Sequence, residues 1–415
     1  MAAAQDEQPM LPGQLYITLV GGGNSTHCFA PLMASVGHRV AILTRRPEQW
    51  SDEVEVMNDD LAWLPMTKMS CKPHLITSDP AKCIPHSDII FIAGVPIHHN
   101  PALLQQMKPH LPTNKKVYIG SVCAYGGFDW VAHRELDHCC DYSLFGTQLI
   151  PWCCGTLEYG KTGLIIGAKR MLRIATEGGD DKDGIKDLLR PILRQNLVDT
   201  DFLASALWPN NPSLHPPILY GLFKDWDGKS PFDPKDLPVA IYGEMTDSSA
   251  EATCALDVEL VAITDGLKAA GWGNKDDFTF KTCVCENYLD QITDSTDTTT
   301  CIRTNLAFAK HKIPYQQVEG GVVPVIAHKF FETDLPFGLV TFKDIALMCN
   351  VATPMIDAII LWNQKLIEKE YLTEAGTLDG ANIDECIVPS RMGFDLDYLT
   401  SGGASAEPAA KKMKA

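Results

Sequence analysis

A glycine turn close to the start of the chain constrains the fold more than any other feature. The β-rich run 14–20 ends in Gly21-Gly22-Gly23-Asn24, and residues 25–36 follow with helical composition. A second β-type run, 38–44, comes at once, so strand, turn, helix and strand fit the length of one parallel β-α-β unit. The crossover between two such strands is right-handed. Further β-type runs at 88–95, 116–122 and 162–167 extend the pattern to a doubly wound parallel sheet, an α/β fold of the Rossmann type.

Between residues 201 and 238 the texture changes to Trp, Asn and Pro, as in Trp208-Pro209-Asn210-Asn211-Pro212, and β-type runs largely stop. Residues 248–270, 345–350 and 354–369 carry helical periodicity. The reading is a Rossmann-type domain over 1–203, a mostly α-helical second domain over 204–400, and a disordered tail over 401–415, rich in Gly, Ser, Ala and Lys.

Composition narrows the partners. Lysine and arginine number 35 against 52 aspartates and glutamates, a formal charge of −17 spread along the chain. Phosphate backbones are bound by clustered cations, so no nucleic-acid partner is expected. Hydrophobic residues make up 45% and charged residues 21%, the balance of a chain that folds. The 14 cysteines fall at irregular spacings, with adjacent pairs Cys139-Cys140 and Cys153-Cys154 and no C-x-x-C. They read as buried thiols in a reducing compartment, with no metal. The first ten residues are polar and acidic, unlike a secretion signal, and the longest apolar run, near 88–97, is about half a membrane span. A soluble cytoplasmic protein with no membrane partner is expected.

Gly21-x-Gly23-x-x-Thr26 matches a dinucleotide fingerprint at its first two glycines, where a tight turn lets backbone N–H groups approach a pyrophosphate. Gly22, Asn24 and Ser25 fill the intervening positions, and the helix that starts there turns its positive end toward the phosphates. The third position is Thr26, not glycine or alanine, so the reading rests on the strand, turn and helix around it. The second strand ends in Thr44-Arg45-Arg46, where a carboxylate would hold the ribose of NAD. Arg45 there suits the 2′-phosphate of NADP, and the residues alone leave the cofactor open. Val95-Pro96 ends another strand and reaches the crevice at the carboxyl edge of the sheet, where such folds bind ligands.

These residues, with several later segments, resemble the opine dehydrogenases of marine invertebrates, the octopine and tauropine dehydrogenase group. Gly21-Gly22-Gly23-Asn24-Ser25-Thr26-His27 is similar to the family's Gly-Gly-Gly-Asn-x-x-His start, and Pro151-Trp152-Cys153-Cys154 to its Pro-Trp-x-Cys segment. Leu214-His215-Pro216-Pro217-Ile218-Leu219-Tyr220-Gly221, followed by Trp226-Asp227-Gly228-Lys229, resembles the opening of its helical domain. Glu319-Gly320-Gly321-Val322, Glu332-Thr333-Asp334-Leu335-Pro336 and Lys369-Glu370-Tyr371-Leu372 follow in the family's order. The likeness spans residues 14–400 and is weakest over 233–303.

The resemblance implies an oxidoreductase that condenses an amino acid with pyruvate and reduces the imine with NADH, giving an opine and regenerating NAD in anaerobic glycolysis. It also implies a monomer with substrates between the two domains. Such a reaction needs a group that polarises the carbonyl and moves protons as the carbinolamine loses water, work suited to a histidine of near-neutral pKa. On the resemblance, His215 takes that role and Asp334 fixes its tautomer. Lys329 stands where the octopine-forming member has an arginine that senses the pyrophosphate, and offers a point charge in place of a fork. Tyr125 falls where the family has a glutamine near the keto acid. Gln148 falls where the octopine enzyme has a glutamate for a guanidinium, so a small neutral amino acid or taurine is the expected donor. Cys154 and Asn211, four residues before His215, complete the expected substrate set.

Two rivals stand beside this reading, a reductase of the same two-domain build and a sensor that keeps the Rossmann half. A 2-hydroxyacid or ketopantoate-type reductase uses a helical-domain lysine as proton donor, which would make Lys329 or Lys310 central. A dinucleotide sensor without catalysis fits the departures at Thr26, Tyr125 and Lys329, and the presence of both His215 and Asp334 weighs against it.

Overall fold

The computed structural model describes residues 10–177, 182–208 and 210–401, so all of the expected tail but Ser401 lies outside the described residues. Apolar runs bounded by turns form β1 (Tyr16–Val20), β2 (Arg39–Leu43), β3 (Val54–Asn58), β4 (Lys68–Cys71), β5 (Leu75–Thr77), β6 (Ile89–Ile92), β7 (Val117–Ser121), β8 (Tyr142–Thr147), β9 (Trp152–Glu158), β10 (Thr162–Ala168), β11 (Met171–Thr176), β12 (Asn196–Thr200), β13 (Tyr315–Val318) and β14 (Gly321–Pro324).

Eight of these make one sheet in the order β12-β11-β8-β7-β6-β1-β2-β5. From β8 to β5 every pairing is parallel, whereas β11 meets β8 antiparallel and β12 parallel. β1 is buried at all five residues, so it reads as an unbroken apolar run, as strands covered on both faces do. Strand order reverses at β1, which has β2 on one side and β6 on the other. In open α/β sheets that reversal opens a crevice at the carboxyl ends of the strands.

The run 162–167 does not extend this sheet. It becomes β10 of a second sheet, β4-β3-β10-β9, where it pairs antiparallel with β9 and parallel with β3. Only two residues separate β10 from β11, too few for the crossover that a parallel neighbour in the main sheet would need.

Past β12 the regular structure of the described residues is helical apart from the β13–β14 hairpin, which sequence periodicity did not reveal. The helices expected over 248–270 and 354–369 run as Asp247–Ala269 and Pro354–Leu366. The proline-rich stretch beyond Trp208 lies largely in the helix Asn210–Phe223, with Pro216 and Pro217 inside. Each proline removes an N–H from the helical ladder. Burial of Leu214, Ile218 and Leu219, with a 2.8 Å bond from the Ser249 hydroxyl to the Ile218 carbonyl, holds this helix in place. Among the described residues no helix is long and apolar enough to cross a membrane.

Ion pairs tie the sheets to the helical half. Arg170 binds Asp60 and Asp290 at 2.7 Å each, Arg173 reaches Asp276 and Glu286, and Lys310 meets Asp59 at 2.6 Å. A costly exception is Asp129 on the helix Phe128–Leu136, buried with one carboxylate oxygen unpartnered. Burial pushes its pKa up to about 7. A carboxyl raised on folding destabilises the protein progressively as pH climbs from its unfolded pKa to its folded one. Asp129→Asn should therefore stabilise the protein above pH 7, by on the order of 2 kcal/mol, and change little near pH 4. Melting curves at the two pH values check this, and equal shifts at both would contradict it.

Candidate active site

The turns after β1 and β6 line a cavity of about 610 Å³ that includes Gly21, Gly22, Gly23, Arg45, Val95 and Pro96. Gly21 has φ +111°, and a Cβ there would lie 2.4 Å from a Val95 methyl. The N–H of Gly23 donates to the carbonyl of Gly94 at 3.1 Å, and Gly94 itself has φ +110°. The two turns therefore touch through backbone, leaving the start of the helix Asn24–Ser35 open to a phosphate.

Thr26 is accommodated rather than disruptive. Its hydroxyl donates to the Ala93 carbonyl at 2.7 Å, and a Cβ on Gly94 would meet that oxygen at 3.0 Å. Gly94 thus provides the room that the fingerprint's third glycine would otherwise give. A side chain there would press on both Gly23 and Thr26, so Gly94→Ala should weaken NADH binding at least about tenfold, the strain of a non-glycine residue at positive φ adding to the contact. Titration of NADH by fluorescence checks this, and unchanged affinity would show that the two turns do not fix one another.

Not every expected cofactor residue points at the cavity. Asn24 is tied to β9, donating to the Cys154 carbonyl at 3.3 Å and accepting from the Thr156 hydroxyl at 2.8 Å. Ser25 is buried beside Cys154. His27, whose part sequence reasoning left unassigned, accepts from the Gly160 N–H at Nε2 (2.8 Å), so its Nδ1 donates to the Gly23 carbonyl (2.8 Å). Burial lowers its pKa and keeps it neutral for both bonds. It pins the β9–β10 turn over the glycine turn, where the Tyr159 hydroxyl sits 2.6 Å from a Cβ placed on Gly22. Arg46 stacks over the Tyr159 ring at 4.7 Å, and Arg45 stays exposed. The open turn, the helix start and the cavity suit a dinucleotide, which the glycine backbone, Arg45 and Val95-Pro96 would hold.

His215 and Asp334, 119 residues apart, meet through a 2.7 Å bond from Nδ1 to Oδ2, both almost fully buried. Two local features place them. His215 lies on the proline-bearing helix, and Asp334 follows the short helix Lys329–Glu332 and opens a π turn, Leu335–Leu339. Pro336 supplies no N–H there, and the Leu339 N–H reaches back to the Asp334 carbonyl across five residues. The Phe330 ring lies 3.9 Å from the imidazole.

The other ring nitrogen, Nε2, bonds the Tyr242 hydroxyl at 2.7 Å. Tyr242 was missed because it lies in the stretch of weakest family likeness and carries no motif. A carboxylate only accepts, so Nδ1 must donate to Asp334 and neutral Nε2 accepts from Tyr242. Burial lowers the His215 pKa although Asp334 opposes this, and burial raises that of Tyr242.

The π turn packs on the carboxyl-end turns of the sheet. A Cβ on Gly126 would meet the Phe337 carbonyl at 2.8 Å and Ile97 at 2.7 Å, and His98 stacks on Phe337 at 5.5 Å. The dyad therefore stands against the edge of the sheet that carries the cofactor cavity. Tyr125 is buried with Asp334 acting on it, and Cys154 feels the charge of Lys329. Lys329 is exposed, with its charge also felt at His215. Gln148 is buried, and its amide donates to the Trp208 carbonyl at 3.2 Å. Asn211 sits in the first turn of the His215 helix. Among the described residues no group of three or more His, Cys, Asp or Glu could hold a metal ion.

Residues 198–367 match the family described as the alpha-helical domain of NAD/NADP octopine/nopaline dehydrogenase. Residues 16–127 match the N-terminus of NAD-dependent glycerol-3-phosphate dehydrogenase. The chain is 28% identical over 409 residues to octopine dehydrogenase of Pecten maximus, covering 93% of this chain and 98% of that one. It is 29% identical over 404 residues to tauropine dehydrogenase of Arabella iricolor, covering 92% and 99%. A solved structure of octopine dehydrogenase with NADH and agmatine superposes with a TM-score of 0.80 at 27% identity, over 95% of this chain and 100% of that one. The complex of octopine dehydrogenase with NADH and pyruvate gives 0.76 at 25%, with the same coverage.

Proposed function

The chain belongs to the opine dehydrogenase family, and on that premise we propose that it condenses pyruvate with the amino group of a small neutral amino acid or taurine and reduces the imine. The observation that carries this reading is the buried chain Asp334–His215–Tyr242 set against the edge of a dinucleotide crevice. Pyruvate, amine, NADH and a proton give a secondary amine, water and NAD. Bound NADH supplies the hydride.

The protein's part is to bind and to move protons. Neutral His215, oriented through Nδ1 by Asp334, takes a proton at Nε2 from the attacking amine and returns it to the carbinolamine hydroxyl as water leaves. Tyr242, protonated because it is buried, occupies Nε2 until substrate replaces it. Gln148 is neutral and engaged on the Trp208 carbonyl, so that position gives a guanidinium no counter-charge, which supports a neutral donor. Tyr125, Cys154 and Asn211 complete the substrate wall, and Lys329 contributes charge toward the phosphates.

NADH is the cofactor, and exposed Arg45 supports some use of NADPH. The catalytic division falls between a dinucleotide domain ending near residue 203 and the helical domain beyond it. The resemblance favours a monomer, and the free thiols of the described residues suit a reducing compartment such as the cytoplasm. A keto-acid reductase working through a helical-domain lysine fits less well, because Lys310 is engaged by Asp59 and Lys329 is exposed, with no carboxylate paired to it among the described residues.

The direct assay is NADH oxidation with pyruvate and one amine at a time. Turnover should require both, with taurine, alanine or glycine better than arginine, and turnover on pyruvate alone would refute the reading. Asp334→Asn should lower kcat by about 100-fold or more while NADH affinity holds within about twofold. Proton uptake needs neutral His215, so activity in the opine-oxidising direction is lost as pH falls through its pKa. Asp334 raises that pKa, so its removal should move the acid limb to lower pH. An unmoved limb would remove Asp334 from the dyad.

A further inference from the structure

Lysine is almost never fully buried unless a counter-charge is buried with it. Lys169, between β10 and β11, is 4% exposed, and among the described residues no carboxylate pairs with its ammonium. Nζ donates to the Ile150 carbonyl at 2.5 Å and stands 5.0 Å from the centre of the Tyr288 ring. The cations next to it are satisfied: Arg170 by Asp60 and Asp290, Arg173 by Asp276 and Glu286. Around Lys169 stand instead the thiols of Cys123, Cys153 and Cys154.

A run of side chains connects this ammonium to the dyad. The Cys153 thiol meets the Tyr288 hydroxyl at 3.2 Å, and the Tyr288 ring lies 5.0 Å from Phe308. Phe308 lies 4.6 Å from Tyr242, which bonds His215. His311, whose Nδ1 is buried without a partner among the described residues, feels positive charge from Lys169 and Lys329. Asp334, the carboxylate of this group, is already bonded to His215. The charges of Lys169 and Lys329 thus both reach the His311 imidazole.

We propose that Lys169 is the anchor for the acid group of a condensing substrate, a carboxylate or sulfonate, an inference that rests on the condensation reading above. Pyruvate brings a carboxylate, and the amino donor brings a carboxylate or a sulfonate. The anchor is rigid before substrate arrives. The Lys169 N–H donates to Pro151 at 3.0 Å, that of Ala168 to Asp60 at 2.8 Å, and that of Arg170 to Asn287 at 2.6 Å. Little ordering is left to oppose binding.

The test is calorimetry on the full chain saturated with NADH, titrated separately with pyruvate, alanine and taurine, and with pyruvamide and ethylamine, which lack the acid group. Lys169→Met should weaken binding of an acid-bearing ligand by about 10- to 100-fold and leave its acid-free counterpart unchanged. Loss for pyruvate assigns the anchor to the keto acid, and loss for alanine and taurine assigns it to the donor. Unaltered binding of all acids, or equal weakening with and without the acid group, would overturn the proposal. Affinity for NADH within about twofold of wild type shows that the variant is folded, and Lys169→Gln is the second neutral variant should Met not be accommodated. Lys169-dependent binding of acids by a chain that turns over no pyruvate and amine pair would retain the anion site and refute the condensation reading.

Discussion

Asp334 and His215 are both taken almost wholly out of water, and the surrounding structure is arranged so that neither is left without the other. A buried carboxylate needs a donor, and a buried imidazole needs its two nitrogens satisfied with opposite roles. The helix that carries His215 keeps its course through two prolines because it is packed on the long helix Asp247–Ala269. The π turn brings Asp334 from the other side, and Phe330 covers the ring. The bond between them joins segments 119 residues apart and fixes where the proposed proton chemistry would take place relative to the sheet.

The cofactor side depends on an equally local constraint. Gly23 and Gly94 come together backbone to backbone where strand order reverses, and the helix start beside them remains uncovered. The second sheet then makes sense as a brace. Through His27 and Tyr159 its β9–β10 hairpin closes over the glycine turn, and through Lys169 and Arg170 its other end meets the helical half. One hairpin thus touches the dinucleotide crevice and the seam between the halves.

The sheet was legible because strands buried on both faces print as unbroken apolar runs between turn residues, as Tyr16–Val20 and Ile89–Ile92 do. The second sheet was not, since nothing in the composition of residues 162–167 says which of two sheets they join. That is decided by the two-residue link to β11. Nothing in the prolines at 216 and 217 marks a helix interior, and it is tertiary packing that keeps them helical. His215 and Asp334 became visible through family likeness. Their partner Tyr242 did not, because a lone tyrosine has no spacing to mark it. His27 lay inside a recognised motif, yet its task, holding Gly160 and Gly23 together, is visible only once the hairpin is folded over it.

The central claim is that hydride goes to an imine carbon and not to a free keto acid. Incubation with pyruvate, alanine or taurine, and NADH carrying deuterium at its transferable position, followed by mass spectrometry of the products, tests this most directly. The account predicts a secondary amine in which the carbon from the pyruvate carbonyl carries one deuterium. Deuterated lactate as the sole labelled product would contradict it.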